Sequence, residues 1–192
     1  MATSNLARWS QALSQAPTTG ASAQTAHQDH LPAGVDSSHK MAQTDLPRVM
    51  QMADVLRQVG AACDVPPAVI AALASRESRC GAVLDAHGFG DQGHAFGILQ
   101  VDKRFHTLQG IDKGPASREH LEQAVGIFVD FRTQVQAKHP DWEDEFILKG
   151  AAAAYNSGVG NIQTKAGMDK GTTGDDYGSD VMARAQFYAS HL

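Results

Sequence analysis

Apolar side chains recur at intervals of three and four residues along most of the chain after residue 44, which is the spacing of one face of an α-helix. The first stripe predicts a helix that begins near Thr44, with Pro47 in its first turn, and ends at Gly60. The second predicts a helix from Pro66 to about Cys80. Further helices are predicted over residues 117–138, 143–155 and 175–191. Four consecutive alanines, residues 151–154, would let neighbouring backbones approach closely and indicate a central helix.

Two stretches lack this helical spacing. Residues 81–115 are rich in glycine and are expected to form a loop, with one or two short strands within residues 96–102. Residues 1–43 are rich in Ser, Ala, Thr, Gln and His, and are expected to form an N-terminal arm that is partly mobile or docked on the surface. The pattern therefore predicts an α+β fold that is predominantly helical, with one domain over residues 44–192 and a small β element.

Composition narrows the class of protein. A length of 192 residues fits one domain, and no apolar run is long enough to predict a transmembrane helix. The formal net charge of -5 provides no general attraction to nucleic acid or to anionic envelopes. Two cysteines cannot build a disulfide framework, and the first 20 residues lack the basic and apolar regions of a secretory signal. These features favour a reducing compartment and weigh against ordinary secretion without excluding it.

The only metal-like spacing lies in the arm, where His27 and His30 flank Gln28 and Asp29, and His39 follows. No thiol or carboxylate cluster completes a ligand set around them. Solvated imidazoles are therefore the preferred interpretation, and neither a metal site nor a cofactor is expected.

The second helix carries the most informative side chain. Ile70, Leu73 and Glu77 follow one another at intervals of three and four residues, so Glu77 lies on the apolar face. Loss of hydration there would raise the pKa of the carboxyl and keep it protonated near neutral pH, as a general acid requires. A structural alternative stays open, in which Glu77 is the buried partner of Arg76, Arg79 or another cation.

Two aspartates near this helix suggest a partner for that acid. Asp91 lies in the glycine-rich loop and Asp102 ends the predicted strand, so a tight loop could bring both within reach of Glu77. One protonated carboxyl beside an ionised one is the arrangement that cleaves glycosidic bonds. Asp91 could equally be a turn residue and Asp102 a strand-end cap, so the pair alone is a weak signal.

Four segments, in this order along the chain, resemble goose-type lysozyme: AVIAALASRES (68–78), AFGILQVDKR (95–104), AAYNSGVGN (153–161) and GTTGDDYGSDVMARAQFY (171–188). The resemblance covers roughly residues 44–192 and implies a lysozyme-like catalytic domain. It implies a muramidase that hydrolyses the β-1,4 bond between N-acetylmuramic acid and N-acetylglucosamine in bacterial peptidoglycan, with an antibacterial role. The implied partners are peptidoglycan and N-acetylglucosamine oligosaccharides, bound by a monomer without nucleic acid or membrane insertion.

The resemblance also implies roles for individual residues. Glu77 matches the catalytic glutamate, and Asp91 and Asp102 match the two assisting aspartates. The family is described as inverting, which implies carboxyl groups about 6.5–9.5 Å apart with room for a water. The positions that match the sugar-binding cleft are Gln100, His106, Tyr155, Asn156 and Tyr177. Core aromatics for the two tyrosines and a helix C-cap for the asparagine are the structural alternatives.

The chain departs from the family in its cysteines. Secreted members use disulfides to tie the N-terminal arm to the core, but Ala23 stands where a cysteine is expected, and Cys63 lacks its partner. Cys80 is additional, and the spacing from Glu77 to Asp91 is one residue longer than usual. The resemblance implies an extracellular protein, whereas these departures leave an intracellular location or non-classical export open.

Two other functions compete with hydrolysis. A lytic transglycosylase has a similar fold and AYN-type motif but needs only the glutamate, because the 6-hydroxyl of the sugar replaces water. The presence of both Asp91 and Asp102 therefore favours a hydrolase. A catalytically silent peptidoglycan-binding protein is the alternative from another class, and the three acids argue against it.

Overall fold

Helices form in every region where the apolar stripes predict them, and also before residue 44. The computed structural model describes residues 5–192, which contain eight α-helices and one small antiparallel sheet. The predominantly helical α+β class is therefore confirmed. The helices are α1 (Asn5–Gln15), α2 (Ala23–Ala26), α3 (Val35–Gln51), α4 (Ala53–Cys63), α5 (Pro67–Ser78), α6 (Arg118–Lys138), α7 (Asp144–Ser157) and α8 (Tyr177–Tyr188).

The first predicted helix has different bounds in the structure. Helix α3 begins at Val35 rather than near Thr44, and Pro47, expected to mark the start of a helix, lies inside it. The helical backbone is interrupted at Met52, and α4 begins at the next residue. One apolar stripe crosses the break because residues on both sides enter the same core: Val49, Leu56 and Val59.

The N-terminal segment is helical where an irregular arm was expected. Trp9 of α1 is buried in the main core together with Ala12 and Leu13, and the guanidinium carbon of Arg132 lies 4.4 Å from the centre of its indole ring. Only three residues of α1 are buried, so the apolar positions were too few to predict this helix from the sequence. Helix α3 runs across residues 43 and 44, and the division of the chain into an arm and a catalytic domain at that point stays a prediction.

Helix α5 is the central helix of the core. Its residues from Ala68 to Ser75 are buried, and it packs mainly against α8. It ends at Ser78, before the predicted Cys80, because Arg79 and Cys80 adopt left-handed backbone with φ of 53° and 54°. Among residues 5–192, no single helix is long and apolar enough to cross a membrane, and α4 and α5 meet that criterion only as a pair bent by 117°.

The sheet lies in the glycine-rich loop, where one or two strands were predicted within residues 96–102; a further strand, Phe89–Gly90, lies before that range and was not predicted. Its strands β1 (Phe89–Gly90), β2 (Ala95–Phe96) and β3 (Val101–Asp102) are arranged in that order, each antiparallel to its neighbour. The first residue of β2, Ala95, pairs with both Gly90 and Asp102. Strands β1 and β3 therefore run in the same direction and end at the same edge of the sheet.

A buried histidine supports this sheet from below. His120 of α6 lies under Gly97, where an added Cβ would come within 2.2 Å of Nε2. The backbone there has φ of +76°, which favours glycine. Burial lowers the pKa of His120 to about 4, so the ring is neutral and its Nε2 accepts a hydrogen bond from the Leu99 N–H. The turn between β2 and β3 is thus fixed to α6.

The packing of α1 leads to a stability prediction. Trp9→Ala should lower the free energy of unfolding by about 3–5 kcal/mol, because it removes a buried aromatic ring from the core. Chemical denaturation would measure the change. Gln11→Ala, at an exposed position of the same helix, is the matched control and should have little effect. Equal unfolding free energies for the two variants would contradict the docking of α1.

Candidate active site

A cleft of about 830 Å³ runs between the sheet and the C-terminal end of α7. Its apolar side is formed by Ile127 and Phe131 of α6, and its polar side by acids and amides. The cleft brings together seven of the eight residues singled out in the sequence: Glu77, Asp91, Gln100, Asp102, His106, Tyr155 and Asn156. The eighth, Tyr177, lies behind the cleft and contacts Glu77.

Glu77 lies at the end of α5, where the apolar face of that helix meets the cleft. The side chain is partly buried, and its Oε1 accepts a hydrogen bond from the hydroxyl of Tyr177. Burial raises the pKa of Glu77 to about 7, against the opposing effects of the Tyr177 hydrogen bond and the nearby charge of Arg76. The direction agrees with the one predicted from the apolar stripe. A substantial fraction of Glu77 is therefore protonated at neutral pH.

The neighbouring arginines do not form ion pairs with Glu77. Arg76 pairs instead with Asp176 at 2.9 Å and with Asp180 at 2.7 Å. Arg79 pairs with Asp29 at 2.7 Å and with Asp45 at 2.9 Å. Among residues 5–192, no lysine, arginine or histidine forms an ion pair with Glu77, so the structural alternative, in which it is the buried partner of Arg76, Arg79 or another cation, is wrong.

The two aspartates are held at the edge of the sheet where β1 and β3 end. Asp91 follows β1 in left-handed backbone with φ of 46°, and Asp102 is the last residue of β3. A hydrogen bond from the side chain of Arg104 lowers the pKa of Asp102 to about 2. The lining of one cleft thus includes a carboxyl that is partly protonated at neutral pH and a carboxylate that is ionised.

The predicted cleft residues are positioned by specific hydrogen bonds. Gln100 donates through Nε2 to the Gly97 carbonyl oxygen at 2.8 Å and packs over Gly90, where a Cβ would lie 2.2 Å from its Oε1. Tyr155 donates to the Leu99 carbonyl oxygen at 2.7 Å. The hydrogen bond from Tyr155 ties the turn before β3 to α7.

Asn156 and His106 lie at the rim of the cleft. The Asn156 carboxamide is exposed, and its Oδ1 accepts a hydrogen bond from the Thr173 N–H at 2.9 Å. Asn156 lies within α7, and the residue at the helix C-cap is Gly158, so the capping alternative is wrong. His106 is exposed on the opposite side of the cleft, four residues after Asp102.

The two cysteines of the chain form no disulfide with each other. Cys63 and Cys80 are both free thiols, and burial raises the pKa of Cys80 to about 12. Within residues 5–192, no group of three or more His, Cys, Asp or Glu side chains is placed to hold a metal ion.

Several residues of the cleft were not identified from the sequence. Ile127 and Phe131 lie four residues apart on α6, and the sequence did not distinguish them as cleft residues because a cleft wall and a core have the same apolar spacing. Thr173 lines the cleft, and Arg104 does not line it but contacts two of its acids. Both residues lie inside recognised segments, but the contacts of Thr173 with Asn156 and of Arg104 with Asp91 join residues 17 and 13 positions apart in sequence. Their position inside these segments was the only feature of the sequence that could have identified them.

A protonated carboxyl and an ionised carboxylate that line one cleft are the chemical groups with which glycoside hydrolases cleave their substrates. The family model described as Lysozyme g matches residues 12–191. The chain is 42% identical to Lysozyme g of Gallus gallus over 93% of its length and 83% of the relative. It is 45% identical to the Lysozyme g proteins of Casuarius casuarius and Takifugu rubripes, over 91% of this chain and 92% and 94% of theirs. The chain belongs to the lysozyme g family and is a glycoside hydrolase.

The hydrogen bond from Tyr177 leads to a prediction about the pKa of Glu77. Tyr177→Phe should raise it above about 7, because the lost hydroxyl stabilises the carboxylate form. NMR titration of the Glu77 side-chain carbon would measure the change. Tyr155→Phe is the matched control, since that hydroxyl donates to a backbone carbonyl instead. A pKa in Tyr177→Phe at or below the wild-type value would contradict the assignment.

Proposed function

We propose that the protein hydrolyses the β-1,4 bond between N-acetylmuramic acid and N-acetylglucosamine in peptidoglycan, with inversion at the anomeric carbon. Glu77 is the general acid, and Asp91 and Asp102 hold and polarise the attacking water. The observation that carries the proposal is the contrast across one cleft between Glu77, with a pKa of about 7, and Asp102, with a pKa of about 2.

The proposed reaction follows from this contrast. Glu77 donates its proton to the glycosidic oxygen as the bond from that oxygen to the anomeric carbon breaks. Water adds to the opposite face of the oxocarbenium-like centre, and its proton passes to an aspartate. A carboxylate as weakly basic as Asp102 suffices, because the water becomes strongly acidic as its oxygen bonds to carbon. The aspartate then releases its proton to solvent, and Glu77 takes one up, which restores both carboxyl groups to their starting states.

The remaining cleft residues are proposed to bind the glycan. Gln100, His106 and Asn156 offer amide or imidazole groups for the sugar hydroxyl and N-acetyl groups. Tyr155 presents part of its ring beside Phe131, with 6.4 Å between the ring centres. Tyr177, buried behind the cleft, is proposed to orient the Glu77 carboxyl rather than to contact the sugar.

The biological setting is proposed from the same substrate. A muramidase acting on bacterial walls fits an antibacterial, defensive role and an extracellular site of action. The cleft is formed by this one chain, which fits action as a monomer.

Glu77→Gln should lower the rate of reducing-end release from peptidoglycan at least about 100-fold, because it keeps the shape of the side chain and removes the acidic proton. Glu143→Gln is the control: it changes an exposed glutamate that pairs with Lys165, away from the cleft. A Glu77→Gln variant that cleared peptidoglycan at the wild-type rate would disprove the role of Glu77.

The products should identify the reaction. Mass spectrometry of digested peptidoglycan should show muropeptides one water heavier than the anhydro products of a transglycosylase. Early NMR spectra of a cleaved oligosaccharide should show the α-anomer first, since inversion turns a β bond into an α hydroxyl. Anhydro products would indicate a transglycosylase, and a first β-anomer would indicate retention. Binding without cleavage would indicate a silent binding protein.

A further inference from the structure

We propose that Arg104 is a positioning residue of the hydrolase, whose guanidinium holds the carboxylates of Asp91 and Asp102 together at the edge of the sheet. The inference rests on the proposed function, since it concerns the two acids that are proposed to hold the water. Arg104 itself is not among the residues expected to bind the sugar or to react with it.

The contacts of Arg104 are directed at both acids. Its Nε lies 3.0 Å from each oxygen of Asp102, and its Nη2 lies 2.5 Å from Asp102 Oδ2. The same Nη2 lies 3.3 Å from Asp91 Oδ2. The backbone N–H of Arg104 also donates to Asp102 Oδ1 at 2.8 Å, which fixes the turn after β3. One planar group therefore spans both carboxylates.

The topology of the sheet explains why one arginine can do this. Strands β1 and β3 flank β2 and run in the same direction, so the acids that follow Phe89–Gly90 and end Val101–Asp102 meet at one edge. The loop that carries Asp91 has left-handed backbone at Asp91 and Gln92, with φ of 46° and 56°. Non-glycine residues adopt this conformation only when their surroundings hold them there.

Electrostatics supply the reason that the pair needs a cation. Two carboxylates close enough to share one guanidinium nitrogen repel each other, and the repulsion favours either separation or protonation of one acid. Arg104 is always charged and binds carboxylates through a fixed fork. The other groups near the pair are His94, whose Nδ1 lies 2.9 Å from the Asp91 carbonyl oxygen, and Glu77 and His106 in the same cleft.

Arg104 is about half exposed, so its ion pairs contribute little to stability. This separates a positioning role from a structural one. Arg104→Gln should leave thermal unfolding nearly unchanged while impairing turnover. Arg118→Gln is the matched control, because Arg118 is equally exposed and pairs with Glu122 on α6 away from the cleft.

The test is the pH dependence of kcat and KM between pH 3 and 7 on a neutral N-acetylglucosamine hexamer, which removes any effect of charge on wall binding. Without Arg104, the pKa of Asp102 should rise from about 2 towards its ordinary value near 4 or above. At pH 3 most of Asp102 would then be protonated. The ratio of variant to wild-type kcat should therefore fall about tenfold further between pH 6 and pH 3.

Three further variants separate a positioning role of Arg104 from a general effect of charge and from failure of the proposed function. Arg104→Lys keeps a charge without the fork, so its loss of kcat should be intermediate, and the Arg118→Gln ratio should be independent of pH. A flat kcat ratio for Arg104→Gln, or a change confined to KM, would overturn the inference. Glu77→Gln is assayed alongside: if it is inactive while the Arg104→Gln ratio is flat, only the role of Arg104 falls. An active Glu77→Gln would refute the proposed function itself.

Discussion

Arg76 and Glu77 are consecutive residues at the end of α5, and Asp176 and Tyr177 are consecutive residues at the start of α8. Arg76 pairs with Asp176, and Glu77 accepts a hydrogen bond from Tyr177, so the two helices are joined by a pair of adjacent polar contacts. The ion pair is almost fully buried, and the loss of either partner would leave an uncompensated charge inside the protein. Because Arg76 is already paired, Glu77 can lose hydration without gaining a cationic partner of its own.

Ion pairs and hydrogen bonds also connect the N-terminal segment to residues at the end of α5 and the start of α8. Asp29 pairs with Arg79, and the Ser38 hydroxyl donates to Asp180 at 2.7 Å. The backbone N–H of Ser22 donates to Asp176, and the Thr18 hydroxyl donates to the Ser179 carbonyl oxygen, both at 2.5 Å. Polar contacts thus tie this segment to the core, whereas the thiols of Cys63 and Cys80 are both free. The order of this segment and the environment of Glu77 are thus linked through one charged network.

Local spacing was sufficient to predict the chemistry of α5 but not its polar partners. The intervals from Ile70 to Leu73 to Glu77 are set by the helix itself, so the apolar surroundings of Glu77 and the direction of its pKa followed from a single segment. The partner Tyr177 lies 100 positions away, and periodicity carries no information on such a contact. It entered only through the resemblance, and then as a sugar-binding residue.

The start of α3 and the meeting of Asp91 and Asp102 could not be predicted from the sequence, for physical reasons. Pro47 favours the first turn of a helix, so it was interpreted as a start, whereas tertiary packing carries α3 through it from Val35. The meeting of Asp91 and Asp102 depends on strands of only two residues each, too short for alternation to specify their register. The glycine-rich loop predicted proximity of the acids, and the sheet supplies its geometry.

Glu77 keeps its proton close to neutral pH because burial beside the cleft removes water from its carboxyl group. The most direct measurement is an NMR titration of the side-chain carbon of Glu77 in the unaltered protein. The structure predicts a midpoint of about 7. A midpoint near 4.5, the value of a freely hydrated glutamate, would contradict the account.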